Sequence, residues 1–134
     1  MPQKVTPCVI SLGQLATVGS TEEVLSICEN GGAIVSSLPV PPGTTLVISD
    51  FDCAAGGAPG GSFKLQQSND GVSFFTIGAL EVSGLGLGTW VMASPDTAWI
   101  INGNDGPAVT FRIVGLTPGG PLPVTCVCTG YRQS

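Results

Sequence analysis

Short runs that alternate between apolar and polar residues dominate this sequence, and Pro or Gly residues separate them. The clearest run places Val109, Phe111 and Ile113 on one side, with Thr110 and Arg112 on the other. A period of two is typical of a β-strand that buries one of its faces. No window repeats apolar residues at helical spacing over several turns. The pattern therefore predicts strands along the chain and little or no helix.

The predicted strands share this alternation or a run of β-branched and aromatic residues. They are Val5–Leu12, Glu23–Glu29, Ala33–Leu38, Thr44–Asp52, Ser62–Gln67, Ser73–Val82, Thr89–Ala93, Ala98–Asn102, Ala108–Val114 and Val124–Tyr131. Two Asn-Asp-Gly segments, Ser68–Gly71 and Asn102–Gly106, are predicted to be hairpin turns, because these residue types accept the backbone angles of tight turns. Hairpins imply antiparallel pairing.

These elements predict an all-β protein, an antiparallel β-sandwich resembling a jelly roll. We expect a single domain over residues 1–134, with residues 1–7 as a candidate extended arm, since this length suffices to bury one core. The predicted core consists of the inward-facing residues of the strands. They are Leu46, Ile48, Phe63, Leu65, Phe75, Ile77, Trp99, Ile101, Val109, Phe111 and Ile113.

The composition is unusually poor in charge. Charged residues make up 10% of the chain, against roughly 25% in ordinary soluble domains. Lys and Arg together number four, the net charge is −5 and the mean hydropathy is +0.42. This composition favours a protein whose apolar surface is covered by neighbouring subunits, so we expect a homo-oligomer, with a trimer favoured. A monomer with a neutral surface of Ser and Thr is the alternative.

The same composition excludes two classes of partner. The basic residues Lys4, Lys64, Arg112 and Arg132 are scattered, so no basic patch is predicted that would bind nucleic acid. No apolar run approaches the roughly 18 residues of a membrane span. The apolar run near the start is too short for a signal peptide. We therefore expect neither a nucleic-acid nor a membrane partner, and synthesis in a host cytoplasm.

The sequence offers little for catalysis. It has no histidine, which removes the commonest general base and metal ligand. Asp50 and Asp52 share a predicted strand face and could form a catalytic pair of carboxylates. The favoured interpretation is that they lie at the end of a strand that enters a Gly-rich loop and have no catalytic role. With Asp70 or Asp105 the same two residues could bind calcium through their oxygen atoms. We expect no enzyme activity, no catalytic residues, no cofactor and no metal.

Aromatic residues leave one binding function open. Trp90, Trp99 and Tyr131 could form a stacking platform for a sugar, although Trp90 and Trp99 lie in apolar strands that are typical of a core. The alternative function is therefore that of a carbohydrate-binding β-sandwich module, whose binding either depends on calcium or does not. The flexible stretch Ala54–Gly61 is a candidate contact loop for a partner. Its proposed contact residues are Ala54, Gly56, Gly57, Pro59 and Gly60.

Five cysteines, Cys8, Cys28, Cys53, Cys126 and Cys128, are candidates for disulfide bonds. An odd count leaves at least one thiol unpaired within the chain, or indicates a bond between chains. Cys126 and Cys128 point to one face of a strand about 6.6 Å apart, which is a poor geometry for bonding each other. A bond from either would go to Cys8, Cys28, Cys53 or a neighbouring subunit. Reduced cysteines packed as apolar residues are the alternative.

One hairpin carries a resemblance to a known group of proteins. The run Gly61–Ile77 has a polar strand, the turn Ser-Asn-Asp-Gly and an aromatic strand. It resembles a hairpin of small β-sandwich structural proteins of tailed bacteriophages, namely capsid decoration proteins, head fibres and tail-tip parts. The segments Ala108–Gly115 and Pro121–Tyr131 are similar to their closing hairpin. The resemblance covers about half of the chain, and five cysteines depart from the group's pattern.

Proteins of that group are non-catalytic and oligomeric, often trimeric, and stiffen a shell by bridging its subunits. The resemblance therefore implies a virion structural protein of the decoration, or cement, type. It also implies two partners, the protein itself and a major capsid protein or another virion protein, with the virion as the location. The mechanism would be binding alone, through apolar surface buried between subunits.

Overall fold

A computed structural model describes residues 4–12, 16–57, 60–83, 90–93 and 98–134 of the chain. Within these ranges the chain forms twelve β-strands and no helix, so no described helix is long and apolar enough to cross a membrane. The strands in chain order are β1 Val5–Leu12, β2 Ala16–Val18, β3 Glu23–Val24, β4 Ile27–Glu29, β5 Leu38–Pro39, β6 Thr45–Ala55, β7 Gly60–Ser68, β8 Phe74–Ser83, β9 Trp90–Ala93, β10 Trp99–Asn102, β11 Thr110–Leu116 and β12 Leu122–Gln133.

The strands form two antiparallel sheets that pack face to face, which confirms the predicted β-sandwich. The large sheet has the order β10-β6-β12-β1-β4, with β9 also paired to β6 and β2 also paired to β12. The small sheet has the order β3-β11-β7-β8, with β5 also paired to β11. The long strands β6 and β12 lie at the centre of the large sheet and pair along almost their whole length.

The core lies between the sheets and contains most of the predicted residues. Those confirmed as buried are Leu46, Ile48, Phe63, Leu65, Ile101, Val109, Phe111 and Ile113. Ile77 and Trp99 are half-buried and pack against this core. The prediction for Phe75 was wrong, because Phe75 lies beside the first residue of the edge strand β8 and is exposed. A bulge at Ile77 then shifts the alternation, so that Leu80 and Val82 face inward further along β8.

The turn Ser68–Gly71 joins β7 to β8 as a hairpin, as predicted. Its Asp70 carboxylate accepts the backbone N–H groups of Val72 and Ser73, both at 2.8 Å, and Gly71 has a φ of +80°. These hydrogen bonds, that from Ser73 first, hold the pKa of Asp70 below its usual range. Local side-chain and backbone bonding therefore closes this turn, and the backbone N–H of Ala108 adds a hydrogen bond of 3.1 Å to the carbonyl oxygen of Asn69.

The second Asn-Asp-Gly segment, Asn102–Gly106, was wrongly predicted to be a hairpin turn. It connects β10 in the large sheet to β11 in the small sheet, so the two strands do not pair. The crossover is tightly packed: a Cβ on Gly103 would lie 1.9 Å from the carbonyl oxygen of Pro41. The predicted closing hairpin is also a crossover, because β12 belongs to the large sheet.

Two further predicted strands are divided between the sheets. The segment Glu23–Glu29 pairs first with β11 as β3 and then with β1 as β4, and it changes sheet at Leu25 and Ser26. The predicted strand Ala33–Leu38 is reduced to a single bridge at Val35 and to the two-residue β5. Its apolar residues satisfied the strand pattern, but irregular backbone carries most of them.

Candidate assembly surface

The outer face of the large sheet is apolar along a continuous row. Ile100 on β10, Val47 on β6, Tyr131 on β12 and Pro7 on β1 are successive cross-strand neighbours, so their side chains share one line across four strands. Val9 on β1 lies in the next row of the same face, opposite Thr129. We call this surface, on the side of the large sheet away from the core, the apolar face.

Several side chains of the apolar face are unusually exposed for their type. Ile100 is 65% exposed, Val5 is 56% exposed and Val9 is 44% exposed. Among the described strands of the large sheet, Asp50 and Asp52 are the charged residues on this face. Thr129 donates a hydrogen bond of 3.3 Å to Asp50. On this face Val47 is buried, Asp50 and Asp52 are half-buried, and the described strands of the large sheet add no basic side chain.

The opposite surface of the sandwich, the outer face of the small sheet, carries more charged and polar side chains, together with Val24, which is 43% exposed. Arg112 donates a hydrogen bond of 2.8 Å from Nε to Gln66, and its guanidinium lies 3.7 Å above the ring of Phe74. Lys64 forms an ion pair of 3.0 Å with Glu22. Such groups are well hydrated at an exposed surface. The two outer faces thus differ in character, and the apolar face is the one suited to being covered.

The predicted contact loop is shorter than the sequence indicated. Ala54 is buried within β6, where it pairs with Thr125, and Gly60 is buried at the start of β7. Gly56 packs closely on β12, since a Cβ there would lie 2.6 Å from Cγ of Pro123. Gly57 is half-buried beside it. Pro59 lies outside the described residues.

Part of the candidate arm also belongs to the sheet. Residues 5–7 are the first part of β1 and pair with residues 131–133 of β12. Lys4 and Ser134 exchange two backbone hydrogen bonds, which extend this pairing by one residue. Residues 1–3 lie outside the described part of the chain. The first described residues, from Lys4 onward, are therefore paired with residues 131–134.

The candidate ligand sites are not assembled among the described residues. Asp50 and Asp52 lie in the middle of β6 rather than at a strand end, because β6 continues to Ala55. No group of three or more His, Cys, Asp or Glu side chains in the described ranges is placed to hold a metal. The calcium grouping with Asp70 or Asp105 is thus not formed there.

The aromatic platform is divided between two surfaces. Trp99 packs edge-on against Phe51, with ring centroids 6.4 Å apart, and contributes to the core side of the large sheet. Tyr131 lies on the apolar face. Trp99 and Tyr131 therefore cannot stack on one sugar. The side chain of Trp90 lies outside the described part of the structure.

One polar feature that the sequence did not indicate closes an end of the sandwich. Arg132 on β12 forms a two-pronged ion pair with Glu29 on β4, at 2.6 Å and 2.9 Å, and also donates to the carbonyl oxygen of Pro39 on β5 at 3.0 Å. Burial alone would raise the pKa of Glu29, but the hydrogen bonds from Arg132 hold that pKa below its usual range. A groove of about 360 Å³ opens beside this pair, next to Lys4 and Thr44. The ion pair joins β12 to β4 within the large sheet, and the bond to Pro39 joins Arg132 to the small sheet.

All five cysteines are free and buried. Cys8 donates to Glu29 at 3.2 Å, and burial together with this bond raises the pKa of the Cys8 thiol to about 12. Cys28 lies 3.5 Å from the Ser11 hydroxyl. Cys53 and Cys126 face each other across β6 and β12. A disulfide from Cys8, Cys53, Cys126 or Cys128 to a neighbouring subunit would therefore require part of the sandwich to open.

Comparison with known proteins yields likenesses of structure alone. No protein-family model matches the chain, and no curated protein sequence matches it. The chain is similar to the structure of the Gx strain of infectious bursal disease virus, with a TM-score of 0.47 and 14% identity, over 98% of this chain and 32% of that chain.

Two further structures of the same virus are similar to it. The VP2 subviral particle has a TM-score of 0.41 and 14% identity, over 98% of this chain and 36% of that one. The Gt strain has a TM-score of 0.41 and 17% identity, over 98% and 38%. The chain therefore spans about a third of the length of each of these proteins.

The apolar face is the described surface that is best suited to contact with a partner. The carboxylates Asp50 and Asp52 lie on a flat sheet face, and the thiols of Cys53, Cys126 and Cys128 lie inside the core. The apolar face combines exposed aliphatic side chains with a rigid antiparallel scaffold. The free energy of the system falls when a partner removes such a surface from water.

Proposed function

We propose that the protein is a virion structural protein of the capsid decoration type, which assembles with itself and binds a major capsid protein. It acts by burial of apolar surface, without a catalytic step or a cofactor. It is made in the host cytoplasm and carried in the virion. The observation that supports this proposal is the contrast between the apolar face, with exposed Val5, Val9 and Ile100, and the hydrated outer face of the small sheet.

The energetic reason is the free energy gained when aliphatic side chains leave water. Full burial of one Val or Ile side chain contributes about 1.5–3 kcal/mol. Three such residues on one flat face provide enough gain to offset part of the cost of association. A chain with only four basic residues has few other means to form a stable contact.

The charges on the apolar face favour a cyclic arrangement. A two-fold symmetric contact whose axis passes beside Asp50 and Asp52 would bring these carboxylates against the same residues of the other copy, and like charges repel. A trimer joins two different patches of each subunit, so the carboxylates can meet another surface. This reasoning supports the trimer over a symmetric dimer.

Light scattering coupled to gel filtration tests the self-assembly. The unmodified protein should elute as a trimer at micromolar concentration, and Ile100→Asp should elute as a monomer with an unchanged β-type circular dichroism spectrum. Val72→Asp is the matched control, because Val72 is 82% exposed but lies in the β7–β8 turn, away from the apolar face. An unmodified protein that stays monomeric at high micromolar concentration would refute self-assembly through this face.

Cosedimentation with particles tests the capsid partner separately. The unmodified protein should sediment with particles of its virus that lack it and should raise the temperature at which they open. Val72→Asp should bind equally well, and Ile100→Asp should bind poorly. If the protein does not sediment with the particles, and instead elutes late as a monomer from a column of immobilised polysaccharide, the carbohydrate-binding alternative replaces this proposal.

A further inference from the structure

Two of the five cysteines directly oppose each other at the centre of the large sheet. Cys53 on β6 and Cys126 on β12 are cross-strand partners, and their sulfur atoms lie 3.0 Å apart. Both side chains are fully buried on the core side. They are 73 residues apart in the sequence, so only the folded register of β6 and β12 brings them together.

The backbone at this position already has the spacing that a disulfide needs. Directly opposed residues of antiparallel strands have Cα atoms about 4.5–5.5 Å apart, and disulfides form where Cα atoms are about 4.4–6.8 Å apart. The other thiols have different neighbours: Cys8 donates to Glu29, and Cys28 lies against Ser11. Cys128 is two residues beyond Cys126 on the same strand, which gives side chains that point in parallel.

We propose that Cys53 and Cys126 are a disulfide-forming site within one chain, which links the two central strands of the large sheet when the protein meets an oxidising small disulfide. The thiolate of one cysteine attacks a sulfur of oxidised glutathione and releases one glutathione thiolate. The second cysteine thiolate then attacks the mixed disulfide and releases the other. Two electrons pass from the cysteines to glutathione, and the two thiol protons end on the two released glutathione molecules.

The burial of the pair determines when the bond forms. Burial, and then the neighbouring Cys126 thiol, raise the pKa of the Cys53 thiol, which keeps it protonated and unreactive in the closed sandwich. The reaction therefore proceeds while β6 and β12 are pairing, during folding, and is slow afterwards. Once formed, the bond is protected from reductants by the same burial. This site is independent of the proposed assembly through the apolar face, which lies on the other side of the sheet.

The test is refolding in the presence of oxidised and reduced glutathione, followed by alkylation in denaturant and mass spectrometry. The number of alkylated thiols should fall from five, in protein refolded with reductant, to three. Cleavage after Glu29, Lys64, Arg112 and Arg132 isolates Cys53 in peptide 30–64, and it should be linked to peptide 113–132, which carries Cys126 and Cys128. The oxidised protein should melt roughly 10 °C higher.

Single substitutions identify the partner. Cys128→Ala should still lose two thiols on oxidation, whereas Cys53→Ala and Cys126→Ala should each keep all four remaining thiols. Because the loss of either side chain could impair folding, Cys126→Ser provides a second variant at the same site with nearly unchanged volume. Five alkylated thiols after oxidative refolding, a bond that survives in Cys53→Ala, or a bond between chains would each overturn the proposal. The oligomer size measured by light scattering is a separate readout and bears on the proposed function alone.

Discussion

Replacement of Arg132 by Gln tests how the end of the sandwich is held together. Arg132 makes three hydrogen bonds, two to Glu29 and one to the backbone of Pro39, and so ties β12 and β4 of the large sheet to β5 of the small sheet. The variant leaves the Glu29 carboxylate half-buried without its cation. We expect it to fold and to be markedly less stable at neutral pH.

The expected loss lies between two limits. Breaking a fully buried ion pair costs about 3–5 kcal/mol, and breaking an exposed pair costs about 0–1 kcal/mol. The Arg132 and Glu29 side chains are 20% and 21% exposed, which places them nearer the buried limit after a discount for solvent screening. We expect a loss of about 2–3 kcal/mol. Glu29→Gln combined with Arg132→Gln should recover part of it, because the unpaired carboxylate is then removed.

The loss should also depend on pH. The folded state holds the pKa of Glu29 below its usual range, so the stabilisation is complete above the unfolded pKa of about 4.3 and is lost as the pH falls through the lower folded value. Without Arg132, the pKa of Glu29 is raised by burial and is lowered only by the hydrogen bond from Cys8, so it lies higher than in the unmodified protein. The stability difference between the two proteins should therefore be largest near pH 7 and shrink below about pH 4.

Urea unfolding at pH 7 and pH 3.5, followed by tryptophan fluorescence, measures these differences. Lys64→Gln is the matched control, since its pair with Glu22 has side chains 40% and 39% exposed and should contribute less than about 0.5 kcal/mol. If Arg132→Gln costs no more than this control, or if its cost is the same at both pH values, Arg132 and its ion pair do not stabilise this end of the sandwich as described.

Three further outcomes concern the core and the crossover. Phe111→Ala should lower the free energy of unfolding by about 3–5 kcal/mol, because Phe111 is fully buried, and a loss below about 1 kcal/mol would contradict the assigned register. Phe75→Ala, at an exposed position, should cost less than about 1 kcal/mol in the same urea titration. Gly103→Ala should lower the free energy of unfolding by about 1–3 kcal/mol or more, because its new methyl group meets the Pro41 carbonyl. Gly19→Ala should be close to neutral, because the nearest neighbour of its methyl group lies at 3.8 Å. Equal melting temperatures of the two variants would show that the crossover is loosely packed.

Alternation along the chain was sufficient to predict the central strands. Phe111 and Ile113, and likewise Phe63 and Leu65, face inward because each strand has neighbours on both sides and one buried face. The same reasoning failed at Phe75, where the strand is at the edge of the sheet and contains a bulge. A bulge adds one residue through backbone geometry, and residue types alone do not reveal it.

Local sequence patterns could not predict to which of the two sheets each strand belongs. The turns Ser68–Gly71 and Asn102–Gly106 have the same residue types, yet the first joins paired strands and the second crosses between sheets. Turn chemistry fixes where the chain reverses, but long-range packing decides which strand it meets next. For the same reason the approach of Cys53 to Cys126, and of Arg132 to Glu29, depends on registers set far away in the sequence.

The position of β12 has a consequence for how the protein folds during synthesis. This strand follows the other eleven described strands along the chain, yet it lies between β6 on one side and β1 and β2 on the other. Until a ribosome has delivered it, β6 and β1 each expose an unpaired edge of backbone N–H and C=O groups, which are templates for aggregation. Nascent chains shortened before Leu122 should therefore need a chaperone to stay in solution, and a chain that includes β12 should fold slowly, in milliseconds to seconds, as sheets built from distant strands do.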